Sequence, residues 1–391
     1  SGLRVALITR RFWPLMEDIE RTLARLATGL RRRGAEVTIL TCRGSADWPE
    51  RVDYQGTPVF RLPHPHRERW RTLCYLLAVD RWLRQHHEAI DVACVSQLRS
   101  DAYAVLRAGQ RIGVPVVLRA ESAGPQGDCQ WQQRARFGGR VRRRCHAADA
   151  IVAPDAMIAD ELVQAGYADS RIARIGNGIA PLPQQTRGNR GLARTALADA
   201  NPDLSVAAEA PVVVYAGRLS EAAEVRRLLQ AWRTAVRCWP AGKLWLVGAG
   251  RGSDQLRDDI VAFELQHHVV LPGVFEDLGE VLHAANLYVD PGEDASLPSP
   301  LLEALAAGVP VLAMQTREPL LQAGCLTAAA WVPRKGAAFG EALLRMLAAP
   351  PAHDLLAETR AQVLRHFSLN RMLDEHLRLF ERLVREKTHR G

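Results

Sequence analysis

The chain has 391 residues, too many for one ordinary domain, and its 48% hydrophobic content is enough for more than one buried core. It has no apolar run of about 18 residues or more, which argues against a membrane-spanning helix, and its seven scattered cysteines show no metal-ligand spacing and read as reduced thiols. The net charge of +8 is lopsided: residues 1–182 hold 28 Lys and Arg against 19 Asp and Glu, which suits either an anionic partner or an arginine-rich solvated surface.

The N-terminus runs into a strand at Val5–Thr9 with no signal-peptide pattern, so the expected location is cytoplasmic. Further short apolar runs follow at Val37–Cys42, Val59–Leu62, Val92–Val95, Val114–Leu118, Ala150–Val152 and Ile172–Ile175. Helical patterns such as Ile19–Arg33, Thr72–His87 and Ala102–Ile112 separate them. Continuous apolar strands alternating with helices indicate parallel sheets covered on both faces, the doubly wound α/β pattern. This first domain is expected to span 1–182. Pro181 to Pro211 is rich in Pro, Gly, Gln, Asn and Ala and reads as a linker, 183–210, with room for one helix. Val212–Ala216 restarts the alternation, and Leu244–Val247, Val269–Leu271, Leu287–Val289 and Val309–Ala313 continue it. The second domain is expected over 211–370, and residues 371–391 form a helix expected to pack back toward the first domain. The expected architecture is two Rossmann-like domains facing each other across a cleft, with ligands beyond the strand C-terminal ends.

Several loops carry candidate chemistry. The loop after the first strand has no glycine and offers Glu17 and Asp18, which repel phosphate and suit a helix N-terminus. Gly217 permits a tight turn at a strand end, and Arg218 directly after it is placed to grip phosphate. Gly248 and Gly250 let backbone approach a ligand closely. The stretch from Asp290 to Val311 is a Gly/Pro/Ser loop feeding a helix, with Ser299 as the cap, Pro300 at the first helical position and Gly308 past the end. Such a helix start suits a phosphate, and Glu303 one turn inside it is available to ligand hydroxyls. No HExxH or DxD motif and no Ser-His-Asp or Cys-His arrangement occurs in local motifs, so metal catalysis is not expected. The basic segment Arg67–Arg84, with Trp70 and Trp82, has two readings: an amphipathic helix on an anionic membrane, or a helix whose apolar face packs on the sheet. Arg134–Arg144 is a second basic cluster. No nucleic-acid-binding motif accompanies either one.

Leu26-Ala-Thr-Gly through Thr41, Arg174-Ile-Gly-Asn-Gly178, Tyr215-Ala-Gly-Arg-Leu219, Leu246-Val-Gly-Ala-Gly250 and Leu302-Glu-Ala-Leu through Val311 fall in order along nearly the whole chain. Together they resemble the family 4 glycosyltransferases of GT-B fold. The resemblance implies a retaining, metal-independent enzyme with no cofactor. It would take a nucleotide-diphosphate sugar on the second domain and a glycan or lipid-linked acceptor on the first, in polysaccharide or envelope glycan biosynthesis. It implies that Arg218 contacts the diphosphate and Glu303 a ribose hydroxyl, with Gly217, Gly248 and Gly250 around the donor.

The chain also departs from the family pattern. Glu17 and Asp18 stand where paired glycines are usual, and Glu121 where a histidine is usual. Ala223 stands where a phosphate-gripping lysine is usual, with Arg226 and Arg227 nearby but out of register. Counting back from Glu303, the position of the partner glutamate is Ala295, with Glu293 and Asp294 beside it. The candidate catalytic residues are therefore Glu121, Glu293 and Asp294. Three functional readings follow: an active transferase at the inner face of the membrane, an inactive relative that scaffolds or activates a partner glycosyltransferase, or another GT-B enzyme such as a nucleotide-sugar epimerase or a phosphorylase, for which the chain shows no specific signature.

Overall fold

A computed structural model of the chain describes residues 2–63, 68–219, 223–250, 252–292, 297–314, 329–331 and 337–389. By internal contacts the chain forms two compact units, Ser1–Gly178 with Leu369–Gly391, and Ile179–Ser368.

The first unit is built on strands β1 (Arg4–Ile8), β2 (Glu36–Cys42), β3 (Arg51–Tyr54), β4 (Thr57–Leu62), β5 (Val92–Ser96), β6 (Val116–Arg119), β7 (Ala150–Ala153) and β8 (Ile172–Arg174). They lie in the order β3-β4-β2-β1-β5-β6-β7-β8, all parallel except the β3–β4 hairpin. The residues of β5, β6 and β7 are buried throughout, as helices on both faces require. Strand β3 has no continuous apolar run, and its Arg-Val-Asp-Tyr pattern suits an exposed edge. A two-residue turn, Gln55 at φ 50° and Gly56 at φ 79°, folds it back on β4, the conformation tight hairpins favour.

The last helix, Leu369–Thr388, belongs to this unit. It buries Met372, Leu373, Leu379, Phe380 and Leu383. A Cβ on Gly29 would lie 2.3 Å from the Leu373 side chain, so the helix Asp18–Arg32 makes room there. Arg33 pairs with Asp374 at 2.7 Å.

The second unit carries β9 (Val212–Ala216), β10 (Lys243–Val247), β11 (Val269–Gly273), β12 (Leu287–Asp290), β13 (Val311–Ala313) and β14 (Ala329–Trp331). Their order is β11-β10-β9-β12-β13-β14, and each pairing is parallel. The segment expected as a linker, 183–210, is part of this unit. Thr186 caps its helix Arg187–Ala200 by accepting from the Asn189 N–H at 3.2 Å. Arg194 on that helix is buried and donates to the Ala284 carbonyl at 3.1 Å and the Asn286 side chain at 2.7 Å. Proline and glycine content made this region read as a tether, whereas a buried arginine ties it to the sheet. The unit boundaries accordingly fall at Gly178 and Ser368, not at 182 and 370. No helix among the described residues is long and apolar enough to cross a membrane.

Candidate functional site

In the second sheet the chain reverses its direction of winding between β9 and β12. Loops leaving those two strands diverge and open a crevice at their C-terminal ends, the usual ligand position in such sheets. Gly217, Arg218 and Leu219 follow β9, and the Arg218 side chain is exposed. After β12 the buried Asp290 accepts from the Gly292 N–H at 3.1 Å and shapes the turn. The helix Ser299–Ala307 then begins, fully buried, with Pro298 as its cap and Ser299 as its first residue. Gly308 ends it in the left-handed conformation at φ 75°. Glu303 is buried one turn inside. Arg218 and this helix start thus lie on the two loops at the winding reversal, with Glu303 one turn further in. Glu293, Asp294 and Ala295 lie outside the described residues.

The helix Ala223–Cys238 decides between the two neighbouring arginines. Arg226 points away from the crevice, pairing with Asp259 at 3.7 Å and standing 5.8 Å from the Phe263 ring. Arg227 donates to the Pro291 carbonyl at 3.4 Å, at the exit of β12. It therefore brings a second guanidinium to the crevice that contains Arg218. Ala223, where the family usually has lysine, is the first residue of the helix, one turn before Arg227.

Gly248 and Gly250 answer a constraint within the fold itself. A Cβ on Gly248 would lie 1.9 Å from the Gly217 carbonyl oxygen, and one on Gly250 1.8 Å from the Leu219 carbonyl oxygen. The close backbone approach is between the loops after β9 and β10. Leu219 N–H donates to Ala249 O at 3.1 Å, and Gly217 N–H to Val247 O at 3.0 Å. These glycines hold Arg218 in place through its neighbours.

In the first sheet the winding reverses between β1 and β5. Ion pairs built on buried carboxylates cluster at that end. Arg10 pairs with Asp101 and stacks 4.5 Å from the Tyr75 ring. Arg99 pairs with Asp128 at 3.1 Å, and Asp128 also accepts from the Glu121 N–H at 3.1 Å. Arg119, 1% exposed, pairs with Glu121 and donates to the Asn177 side chain. Burial pushes the Glu121 carboxyl up to about 7, against the opposing pull of the Arg119 guanidinium. Burial and the same guanidinium hold His376, on the last helix, down to about 4. Glu121, 4% exposed at its side chain, is thus the closed-in partner of Arg119.

Glu17 is the N-cap of the helix Asp18–Arg32, and its N–H donates to the Glu20 carboxylate at 3.0 Å. Glu17 also pairs with Arg11 at 3.5 Å. Where the family opens a glycine loop toward phosphate, this chain starts a helix with carboxylates. Burial pushes Glu20 from its ordinary 4.5 up to about 7. Folding therefore takes up a proton between those values, so stability is greatest below the lower one and falls as pH rises through about 7. Glu20→Gln should raise the thermal stability at pH 8 by up to about 3 kcal/mol and change little at pH 4, read from melting curves at both. An equal shift at both pH values would show that Glu20 ionises normally.

Residues 19–181 match the family described as Glycosyltransferase Family 4, and residues 210–349 match Glycosyl transferases group 1. A GDP-mannose-dependent alpha-mannosyltransferase of Mycobacterium tuberculosis is 25% identical over 334 residues, 81% of this chain and 80% of the relative. One of Mycolicibacterium smegmatis is 29% identical over 344 residues, 83% of each. Sucrose-phosphate synthase from Thermosynechococcus elongatus is similar in structure, with a TM-score of 0.75 at 18% identity over 97% of this chain and 99% of that one. Anabaena HepE in complex with UDP and glucose also has a TM-score of 0.75, at 15% identity over 97% of this chain and 100% of that one. The chain is a glycosyltransferase of family 4, built on the GT-B fold.

Proposed function

We propose that this glycosyltransferase moves a sugar, with retention, from a nucleotide-diphosphate donor to a glycan or lipid-linked acceptor in envelope polysaccharide assembly. The observation that carries the reading is the pair of guanidiniums, Arg218 and Arg227, at the winding reversal beside the helix Ser299–Ala307. Two cations and a helix start suit a diphosphate, and they also suit the charge that builds on it as the glycosidic bond to the leaving phosphate breaks. Glu303 would accept from a ribose hydroxyl, and the acceptor would be held by the first unit. No cofactor enters this scheme. GDP-mannose is the first donor to try, since both curated relatives are described by it. UDP-glucose is the second, because HepE has been solved in complex with it.

Calorimetry with GDP-mannose, UDP-glucose and their free diphosphates tests the reading. At least one donor should bind, and Arg218→Ala and Glu303→Gln should each weaken it about tenfold or more. The carboxylates at Glu17 and Asp18 and the alanine at Ala223 favour the other reading, a scaffold or activator of a partner glycosyltransferase. Failure to bind any donor, together with a stable complex with such an enzyme, would establish that one instead.

A further inference from the structure

Three residues other than glycine hold a positive φ among the described residues: Gln55, Gln97 and Glu264. Gln55 turns the β3–β4 hairpin, and Glu264 follows the end of the helix Ser253–Ala262. Gln97, at φ 68°, belongs to neither kind of turn. It is the first residue after β5, where the winding of the first sheet reverses. A β-carbon disfavours this conformation, and glycine would adopt it without strain. The loop around it is pinned. Gln97 N–H donates to the Arg119 carbonyl at 2.8 Å. Leu98 is buried, and its carbonyl accepts from the Gln132 side chain at 2.7 Å. The Gln97 amide side chain is half-buried and makes no hydrogen bond to any described residue. The strained backbone therefore positions a side chain that the fold itself does not use.

Two further polar atoms stand without a hydrogen-bond partner among the described residues at the same strand ends: Ser96 Oγ on β5 and Glu121 Oε1 just past β6. Both side chains are buried. The charges here are matched. Arg10 pairs with Asp101, Arg99 with Asp128, and Arg119 with the other oxygen of Glu121. The Asp18 carboxylate is also close enough to raise Glu121 further. Three guanidiniums set against three carboxylates, with Asp18 beside them, do not suit a phosphate. An amide offers an acceptor and two donors without charge, which fits neighbouring sugar hydroxyls. We propose that Gln97 is a specificity-determining residue that hydrogen-bonds the hydroxyls of an uncharged sugar acceptor, and that the first unit selects such a sugar over one carrying a phosphate. The proposal rests on the transfer reading and narrows its acceptor to a molecule presenting a neutral sugar ring.

The test is saturation-transfer NMR on the full chain with the methyl α-glycosides of glucose, mannose, galactose and N-acetylglucosamine. Glucose and mannose phosphorylated on their primary hydroxyls serve as charged counterparts. At least one glycoside should bind, and the sugar phosphates should bind at least about tenfold more weakly. Gln97→Gly should weaken the glycoside about tenfold, while its urea midpoint stays level or rises because the backbone strain is released. A glutamine with only a structural role would leave glycoside binding unchanged. Gln97→Asn, which tolerates a positive φ and keeps the amide, should lose less than Gln97→Gly. Sugar phosphates that bind as well as the glycosides, binding of no glycoside, or equal glycoside affinity in wild type and Gln97→Gly each overturn the proposal. If a variant fails to fold, the comparison of glycosides with sugar phosphates on the wild-type protein decides it. Calorimetry with GDP-mannose and UDP-glucose separates the two readings. A donor that binds where no glycoside does sinks this inference alone, whereas binding of neither sinks the transfer reading as well.

Discussion

Gly250→Ala should destabilise the second unit by about 3–5 kcal/mol, among the largest effects a single methyl group produces. The added Cβ would stand 1.8 Å from the Leu219 carbonyl oxygen and 2.4 Å from its carbonyl carbon. Both are backbone atoms, so no side chain can swing aside. Leu219 itself is buried, and its N–H is engaged with Ala249 O at 3.1 Å. Relief requires the loops after β9 and β10 to part, which breaks that bond and moves Arg218. Gly191→Ala is the contrast: it lies in the helix Arg187–Ala200 with nothing within 4 Å of its added Cβ. It should stabilise by about 0.5–1 kcal/mol through helix propensity alone. Urea titrations followed by tryptophan fluorescence read both, since Trp232 and Trp245 are buried in this unit. A Gly250→Ala midpoint equal to wild type would show that the two loops do not hold each other.

What the sequence made legible was local. Strands such as β5 and β7 are apolar at nearly every position because both faces are covered, and their alternation with helices fixed the α/β class. The strand, loop and capped helix from β12 to Gly308 could be read for the same reason, through neighbouring residues with strong backbone preferences. What escaped depends on distant partners. Arg119 ends β6 as a buried charge that only Glu121 and Asn177 explain, and Asn177 is 58 residues away. Gly248 and Gly250 clear atoms of the loop after β9, a constraint that no local pattern announces. The edge strand β3 alternates polar and apolar over only four residues, too short a run to stand out. In 183–210, proline and glycine content outweighed the buried Gln185 and Arg194, which tie the segment down through carbonyls some 90 to 100 residues away.

The choice between Arg226 and Arg227 escaped for a related reason, and it yields the other large effect. Consecutive helical residues differ by about 100° around the axis, so only one of the two can face the crevice. The structure puts Arg226 on Asp259 and Arg227 on the Pro291 carbonyl at 3.4 Å. On the proposed reaction, Arg227 meets the donor diphosphate and is needed most when the sugar–phosphate bond breaks and charge moves onto the leaving diphosphate. Arg227→Ala should then lower kcat/KM about 100- to 1,000-fold, much of it in kcat, and weaken binding of the free nucleoside diphosphate about tenfold. Arg227→Lys should restore part of the loss, because it returns the charge without the planar fork. Arg226→Ala should remain within about threefold of wild type, since its partners lie on the neighbouring helix surface. The comparison needs the release of the nucleoside diphosphate from the donor identified by calorimetry, measured for all three variants. If Arg226→Ala is the damaging change and Arg227→Ala the silent one, the helix presents the opposite face to the donor, and the second cation of the site is misassigned.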